Sequence, residues 1–193
     1  MHELALPMTG AEGGREDSGL TALLRLAKAG DTAAFEELLL RHERRVLMTA
    51  FRLLSSMEDA QDAAQEVFLK LHKHLRRFDE FSALAPWLYR VTVNTCRDIG
   101  RKRGREQGIP LEAAEPAAAP AGPDWHEERR IVALALRHLP EKERAALVLR
   151  DIAGLATSDV ARILGSSEAT VRSQASSARL KIKRFADRML GRS

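Results

Sequence analysis

Apolar residues recur every three or four positions through most of this chain. In "TAAFEELLLRHERRVLMTAFRLL" the residues Phe35, Leu38, Leu39, Val46, Ala50, Phe51 and Leu54 fall at helical spacing. Asp31 stands before them as an N-cap, because its carboxylate can accept from an otherwise orphaned amide. Gly30 stands where a shorter preceding helix, "TALLRLAKAG", would end in a left-handed cap. A third stripe (Ala60, Ala63, Ala64, Val67, Phe68, Leu71, Leu75) predicts a helix from about Glu58 to Arg77. After the loop "FDEFSALA", Pro86 suits a helix first turn, and Trp87, Leu88, Val91, Thr95 and Ile99 predict a fourth helix to about Arg103.

The pattern then stops. "EQGIPLEAAEPAAAPAGPDW" has four prolines and no apolar period, so it reads as a flexible linker over residues 106–126. It resumes in "EERRIVALALRHL", which stops at Pro140, and continues as one helix in "EKERAALVLRDIAGL". Two closely spaced helices follow, the second from Glu168 to Met189. Runs of strand-favouring residues are scarce, and Ala, Leu, Arg and Glu dominate. The expectation is an all-α protein: a disordered tail over residues 1–18, a four-helix domain over 19–105, the linker, and a second small helical domain over 127–193.

Charge sharpens this division. The span 20–105 carries a net +5 and the span 127–193 a net +6, while the tail and linker together carry −7. Two basic blocks suit a polyanion, although ordinary solvated surfaces fit the same balance. Cys96 is the only cysteine, so neither a disulfide framework nor a zinc cluster is available within one chain. The start "MHELALPMTGAEGGRED" lacks the basic and apolar regions of a secretory signal. No stretch approaches the roughly 18 apolar residues of a membrane span. These features predict a soluble, cytoplasmic protein.

The stretch "DVARILGSSEATVRSQ" has the parts of a helix-turn-helix. Val160, Ile163 and Leu164 give the first helix an inner face. Ala161 allows a close crossing, Gly165 tolerates a positive φ in the turn, and Val171 anchors the second helix. The outer face of that helix carries Glu168, Thr170, Arg172, Ser173, Gln174 and Ser177, which can hydrogen-bond base edges in a major groove. Arg179, Lys181, Lys183 and Arg184 extend the cationic character towards phosphates.

The third helix has a different chemistry. "EDAQDAAQEVF" places Asp59, Asp62, Gln65 and Glu66 at spacings of three and four, forming a polar stripe. Such a stripe repels phosphate and suits a basic protein surface; it is also what an ordinary solvated helix face looks like. Downstream, aromatic groups interleave with cations, as single-stranded DNA requires. Trp87 and Phe81 also suit a core.

Nothing points to catalysis. Ser173, Ser176 and Ser177 have no His or Asp nearby in sequence, and His72 and His74 are two residues apart, a poor metal pair on a helix. No glycine-rich phosphate loop occurs. No metal, cofactor or small-molecule substrate is expected.

The segments "DAQDAAQEVFLKLHKHLRRF", "WLYRVTVNTCRD" and "LPEKERAALVLRDIAGLATSDVARILGSSEATVRS" resemble the promoter-recognition subunits of bacterial RNA polymerase, and more narrowly the two-domain extracytoplasmic-function (ECF) sigma factors of the sigma-70 family. The resemblance implies that Asp59, Asp62, Gln65 and Glu66 dock on the β′ clamp helices of core polymerase, with the β subunit as a further contact. It implies that Phe78, Phe81, Ser82, Trp87, Arg90, Asn94, Arg101 and Arg103 take up the unwound minus-ten strand. The helix-turn-helix, through Ser167, Glu168, Thr170, Arg172, Ser173, Gln174, Ser177, Arg179 and Lys181, would read minus-thirty-five duplex. An anti-sigma factor is an implied partner. "VRSQASSARLKIK" has fewer cations than the family usually shows there, which predicts weaker intrinsic duplex affinity. The competing reading is a helix-turn-helix regulator that binds DNA without polymerase, as a symmetric dimer.

Overall fold

The computed structural model describes residues 16–77, 84–106 and 127–191. All regular structure among them is helical. The first domain holds α1 (Glu16–Lys28), α2 (Thr32–Leu54), α3 (Met57–His74) with a 3₁₀ turn at Leu75–Arg77, and α4 (Leu84–Glu106). The second holds α5 (Glu127–Arg137), α6 (Glu141–Leu147), a π-helical turn (Val148–Ile152), α7 (Thr157–Leu164) and α8 (Glu168–Met189). The expected linker falls almost wholly outside the described residues, as does the tail up to residue 15. α1 begins at Glu16, inside the stretch read from composition as tail.

Local chemistry sets most boundaries. Asp31 caps α2, its Oδ1 accepting from the Ala34 amide at 3.0 Å. Ser56 caps α3 in the same way, accepting from Asp59. Ser55 ends α2 at φ 60, a left-handed cap adopted by a non-glycine residue. α4 starts two residues before Pro86, which costs no hydrogen bond because first-turn amides have no intrahelical acceptor. The stretch after Pro140 is not one helix as expected. After seven α-helical residues the ladder widens, and the Ala153 amide donates to the Val148 carbonyl at 2.8 Å, five residues back.

In the first domain α2 packs against α1, α3 and α4. Leu24, Leu38, Val67, Leu71, Leu84 and Leu88 form its main core. Ala50, Ala60, Ala63 and Cys96 form a second, tighter layer with Phe51, where small side chains let the helices approach closely. Burying each Leu or Val contributes roughly 1.5–3 kcal/mol relative to leaving it in water.

The second domain closes differently. Leu136, Leu139, Leu147, Val148 and Ala178 form one core, against which Leu53 of α2 also packs. Ala146, Leu149, Val160, Ile163 and Val171 form another, and this one includes Tyr89 and Val93 from α4 of the first domain. Polar contacts reinforce the junction. The Arg144 guanidinium donates to the Leu53 carbonyl at 2.7 Å and to the Leu139 carbonyl at 3.0 Å, so it joins the C-terminal ends of α2 and α5. Arg97 pairs with Glu141 at 2.9 Å.

Candidate nucleic-acid and polymerase interface

α3 turns its alanines inward: Ala60 and Ala63 are fully buried and Ala64 nearly so. The helical period therefore sends Asp62, Gln65 and Glu66 outward together, and all three are exposed. Glu66 is 3.4 Å from Lys70. Asp59, the fourth member of the predicted stripe, faces α4 instead, with Arg103 Nη1 2.6 Å from its Oδ2. Two residues read from sequence as contacts for different ligands are thus partners of each other. Leu69 was not singled out from the sequence, although it lies out of phase with the buried stripe; it sits seven residues after Asp62 and is 49% exposed.

On α4, Arg90, Asn94 and Arg101 are exposed at spacings of four and seven, on one face. Arg101 pairs with Asp98. A neighbouring face, about 100° round the helix, carries Tyr89 and Val93 to the second domain. Trp87 packs against the first-domain core, its ring 6.2 Å from that of His74. Phe78, Phe81 and Ser82 lie outside the described residues. Cys96 is buried beneath this face, and burial, with the Asp59 carboxylate adding to it, pushes the thiol up to about 12. It is a core residue rather than a nucleophile.

The helix-turn-helix has its expected parts. Val160, Ala161, Ile163 and Val171 are buried, and Gly165 ends α7 at φ 64. A Cβ there would meet nothing within 4 Å, so the backbone conformation, not space, makes glycine suitable. Ser167 caps α8, its Oγ accepting from the Thr170 amide at 3.1 Å and lying 2.8 Å from the Thr170 hydroxyl. Glu168 and Arg172 pair along the helix at 2.6 Å. Ser173 is exposed and Gln174 half-buried.

Further along α8 the polar groups turn to their own domain. Ser177 donates to Glu143 at 3.1 Å, and Lys181 donates to the same carboxylate oxygen at 2.8 Å. Arg179 makes a bidentate pair with Asp151, at 2.6 and 2.8 Å. The hydrogen bond to Asp151 raises the Arg179 pKa. Lys183 and Arg184 remain exposed.

Family models match both halves of the chain: sigma-70 region 2 over residues 38–106 and sigma-70 region 4 over residues 129–182. The ECF RNA polymerase sigma factor SigM of Mycobacterium tuberculosis is 36% identical over 173 residues, which is 90% of this chain and 87% of the relative. The chain belongs to the ECF RNA polymerase sigma factors. The ECF sigma-E factor of Escherichia coli K12 is 33% identical to this sigma factor, with 79% of this chain and 86% of the relative covered. Among solved structures, the Bartonella quintana sigma factor RpoE, crystallised with the anti-sigma factor NepR, matches with a TM-score of 0.68 at 27% identity. That match covers 79% of this chain and 96% of the other. CnrH, in complex with the cytosolic domain of CnrY, matches with a TM-score of 0.63 at 26% identity, over 86% and 96%.

A sigma factor directs promoter-specific transcription, and the two domains found here are those of regions 2 and 4. Among the described residues no group of His, Cys, Asp and Glu could hold a metal ion, and no helix is long and apolar enough to cross a membrane.

Proposed function

We propose that this sigma factor grips core polymerase through Asp62, Gln65 and Glu66, with Asp59 at the edge of the stripe, against the β′ clamp helices, and meets the β subunit as well. Residues 19–105 act as the core-binding and minus-ten unit, residues 106–126 as the linker, and residues 127–193 as the minus-thirty-five unit. Arg90, Asn94 and Arg101, together with Phe78, Phe81, Ser82 and Trp87, take the unwound minus-ten strand. Arg103 orients that end of α4 through Asp59. The first two turns of α8, from Ser167 to Gln174, enter the minus-thirty-five major groove, with Ser177, Arg179 and Lys181 behind them.

The observation that carries this reading is that two packed helices of one small domain expose opposite charges: Asp62 and Glu66 on α3, Arg90 and Arg101 on α4. A single basic DNA surface has no use for the first. Each domain alone makes few contacts; joined through polymerase, the second contact becomes intramolecular and the two reinforce each other. The protein performs no chemistry of its own and works in the cytoplasm with polymerase. The Bartonella quintana RpoE was solved with an anti-sigma factor, which supports an anti-sigma partner here too.

Run-off transcription with purified core polymerase on a library of genomic promoters tests the reading. Asp62→Arg with Glu66→Arg is expected to weaken core binding by about a hundredfold or more, because like charges then face each other, while the circular dichroism spectrum stays unchanged. Unaltered core binding would leave the stripe as a solvated face. Tight operator binding by a dimer without polymerase would favour the regulator reading.

A further inference from the structure

Glu143 and Asp151 are eight residues apart. In an uninterrupted α-helix they would lie roughly 80° apart around the axis, at 100° per residue. The π-helical turn at Val148–Ile152 turns the chain less per residue than an α-helix does, and brings Asp151 towards the line of Glu143. Both carboxylates then meet α8: Glu143 takes Ser177 and Lys181, and Asp151 takes both arms of the Arg179 fork. The two carboxylates are the less exposed members of their pairs, at 17% and 24% side-chain exposure against 44% for Lys181 and 52% for Arg179. Beside this clamp, Ala175 and Ala178 are fully buried small side chains, flanked along α8 by Val171, also fully buried, and by Ile182, which packs against the domain core. The clamp therefore adds directional polar contacts to the apolar ones that hold α8.

We propose that Asp151 and Glu143 are positioning residues for promoter recognition: through Arg179, Ser177 and Lys181 they set the angle at which α8 presents Arg172 and Ser173 to duplex DNA. Arg179 serves this clamp and does not contact phosphate. The proposal rests on the reading of α8 as the minus-thirty-five reader. Bidentate Arg–carboxylate geometry suits the role, because two parallel bonds fix orientation as well as distance.

The test uses holoenzyme reconstituted from the full chain and core polymerase, with a minus-thirty-five duplex selected from a randomised pool by the unaltered holoenzyme. Asp151→Ala and Arg179→Ala are each expected to weaken binding to that duplex by about fivefold to tenfold, and the double variant no more than either alone, as coupled residues behave. The reciprocal exchange Asp151→Arg with Arg179→Asp is expected to recover most of the loss. None of these changes should alter the slope of log K against log salt, since no phosphate contact is gained or lost.

Three results overturn the proposal. Asp151→Ala could leave binding unchanged. Arg179→Ala could lower the salt slope by about one, as loss of a phosphate contact does. The two single losses could add in the double variant. Asp151→Asn, which keeps one of the two acceptor oxygens that face Arg179, guards against misfolding: it should bind more tightly than Asp151→Ala, and equal loss in both counts against the clamp. Arg172→Ala separates the underlying reading. If it too leaves duplex selection untouched, α8 is not the reader, and the proposal falls with that assignment rather than by its own failure.

Discussion

The region 2 and region 4 domains bury comparable kinds of residue but finish their cores in different ways. Leu24, Leu38, Val67, Leu71, Leu84 and Leu88 all come from region 2 helices, so that core closes on itself. In region 4, Leu149, Val160 and Val171 complete their packing with Tyr89 and Val93 from α4. The charged groups differ as well. Region 2 sends Asp62, Gln65, Arg90 and Asn94 outward, whereas region 4 ties Ser177, Arg179 and Lys181 of α8 to its own carboxylates. A count of cations in a sequence is therefore not a count of cations available to DNA. The smaller domain uses its neighbour, and its own ion pairs, to hold its shape.

The largest expected effect tests the self-contained core. Leu71→Ala should destabilise region 2 by about 2–5 kcal/mol in denaturant titration, the range for a buried leucine replaced by alanine. A loss under about 1 kcal/mol would mean that the region 2 core collapses around the cavity, and that the two domains differ less than their packing suggests.

His42 gives region 2 a pH dependence of its own. Its ring is buried with both nitrogens lacking a hydrogen-bond partner, in a small hollow lined by Val46, Ala85, Leu88, Tyr89 and Thr92. Burial first, then the facing Arg45 and Arg41, lower its pKa to about 4. The folded pKa lies below the unfolded value, so the neutral ring's contribution is complete above about pH 6.5 and is lost as pH falls towards 4. The loss should reach about 3 kcal/mol at most, and His42→Leu should flatten the stability profile across that window. An unchanged profile in the variant would show that carboxylates, not His42, set the acid limb.

Arg144 tests the shared boundary. Burial lowers its pKa, and its two carbonyl partners belong to different domains. Arg144→Leu leaves both carbonyls without this donor and should weaken the domain contact by about 1.5–3 kcal/mol, the range for hydrogen bonds to charged groups. Small-angle scattering of the free chain should then report a larger radius of gyration. Gly165→Ala should cost about 1–2 kcal/mol, because an L-residue resists the left-handed backbone there. A neutral result would place the strain elsewhere in the turn. Arg97→Ala should change least, by under about 1 kcal/mol, since its partner Glu141 is half exposed to water. A larger loss would make the junction electrostatic rather than apolar.

Helix ends were legible wherever the signal is local. Asp31, Gly165 and Val171 could be placed in advance, and α2 and α8 begin and end where capping and periodicity put them. The outward row Asp62, Gln65 and Glu66 followed from the same period, because a helix fixes which side chains share a face. The break in α6 was not legible: an apolar run such as Val148 and Leu149 fits an α or a π ladder equally, and packing chooses. Leu69 was passed over because an apolar residue on a polar face looks like noise in a hydrophobic stripe.

By itself, then, the sequence determined the helical class, the two basic blocks and the faces each helix offers, because these depend on residues within a few positions of one another. Only the tertiary structure decided how those faces are used. It paired Asp59 with Arg103 across 44 positions, Arg179 with Asp151 across 28, and set Tyr89 against the core of the other domain. Whether a charged side chain meets water, DNA or a neighbouring carboxylate depends on what lies within about 4 Å of it, and the chain brings those groups together only when it folds.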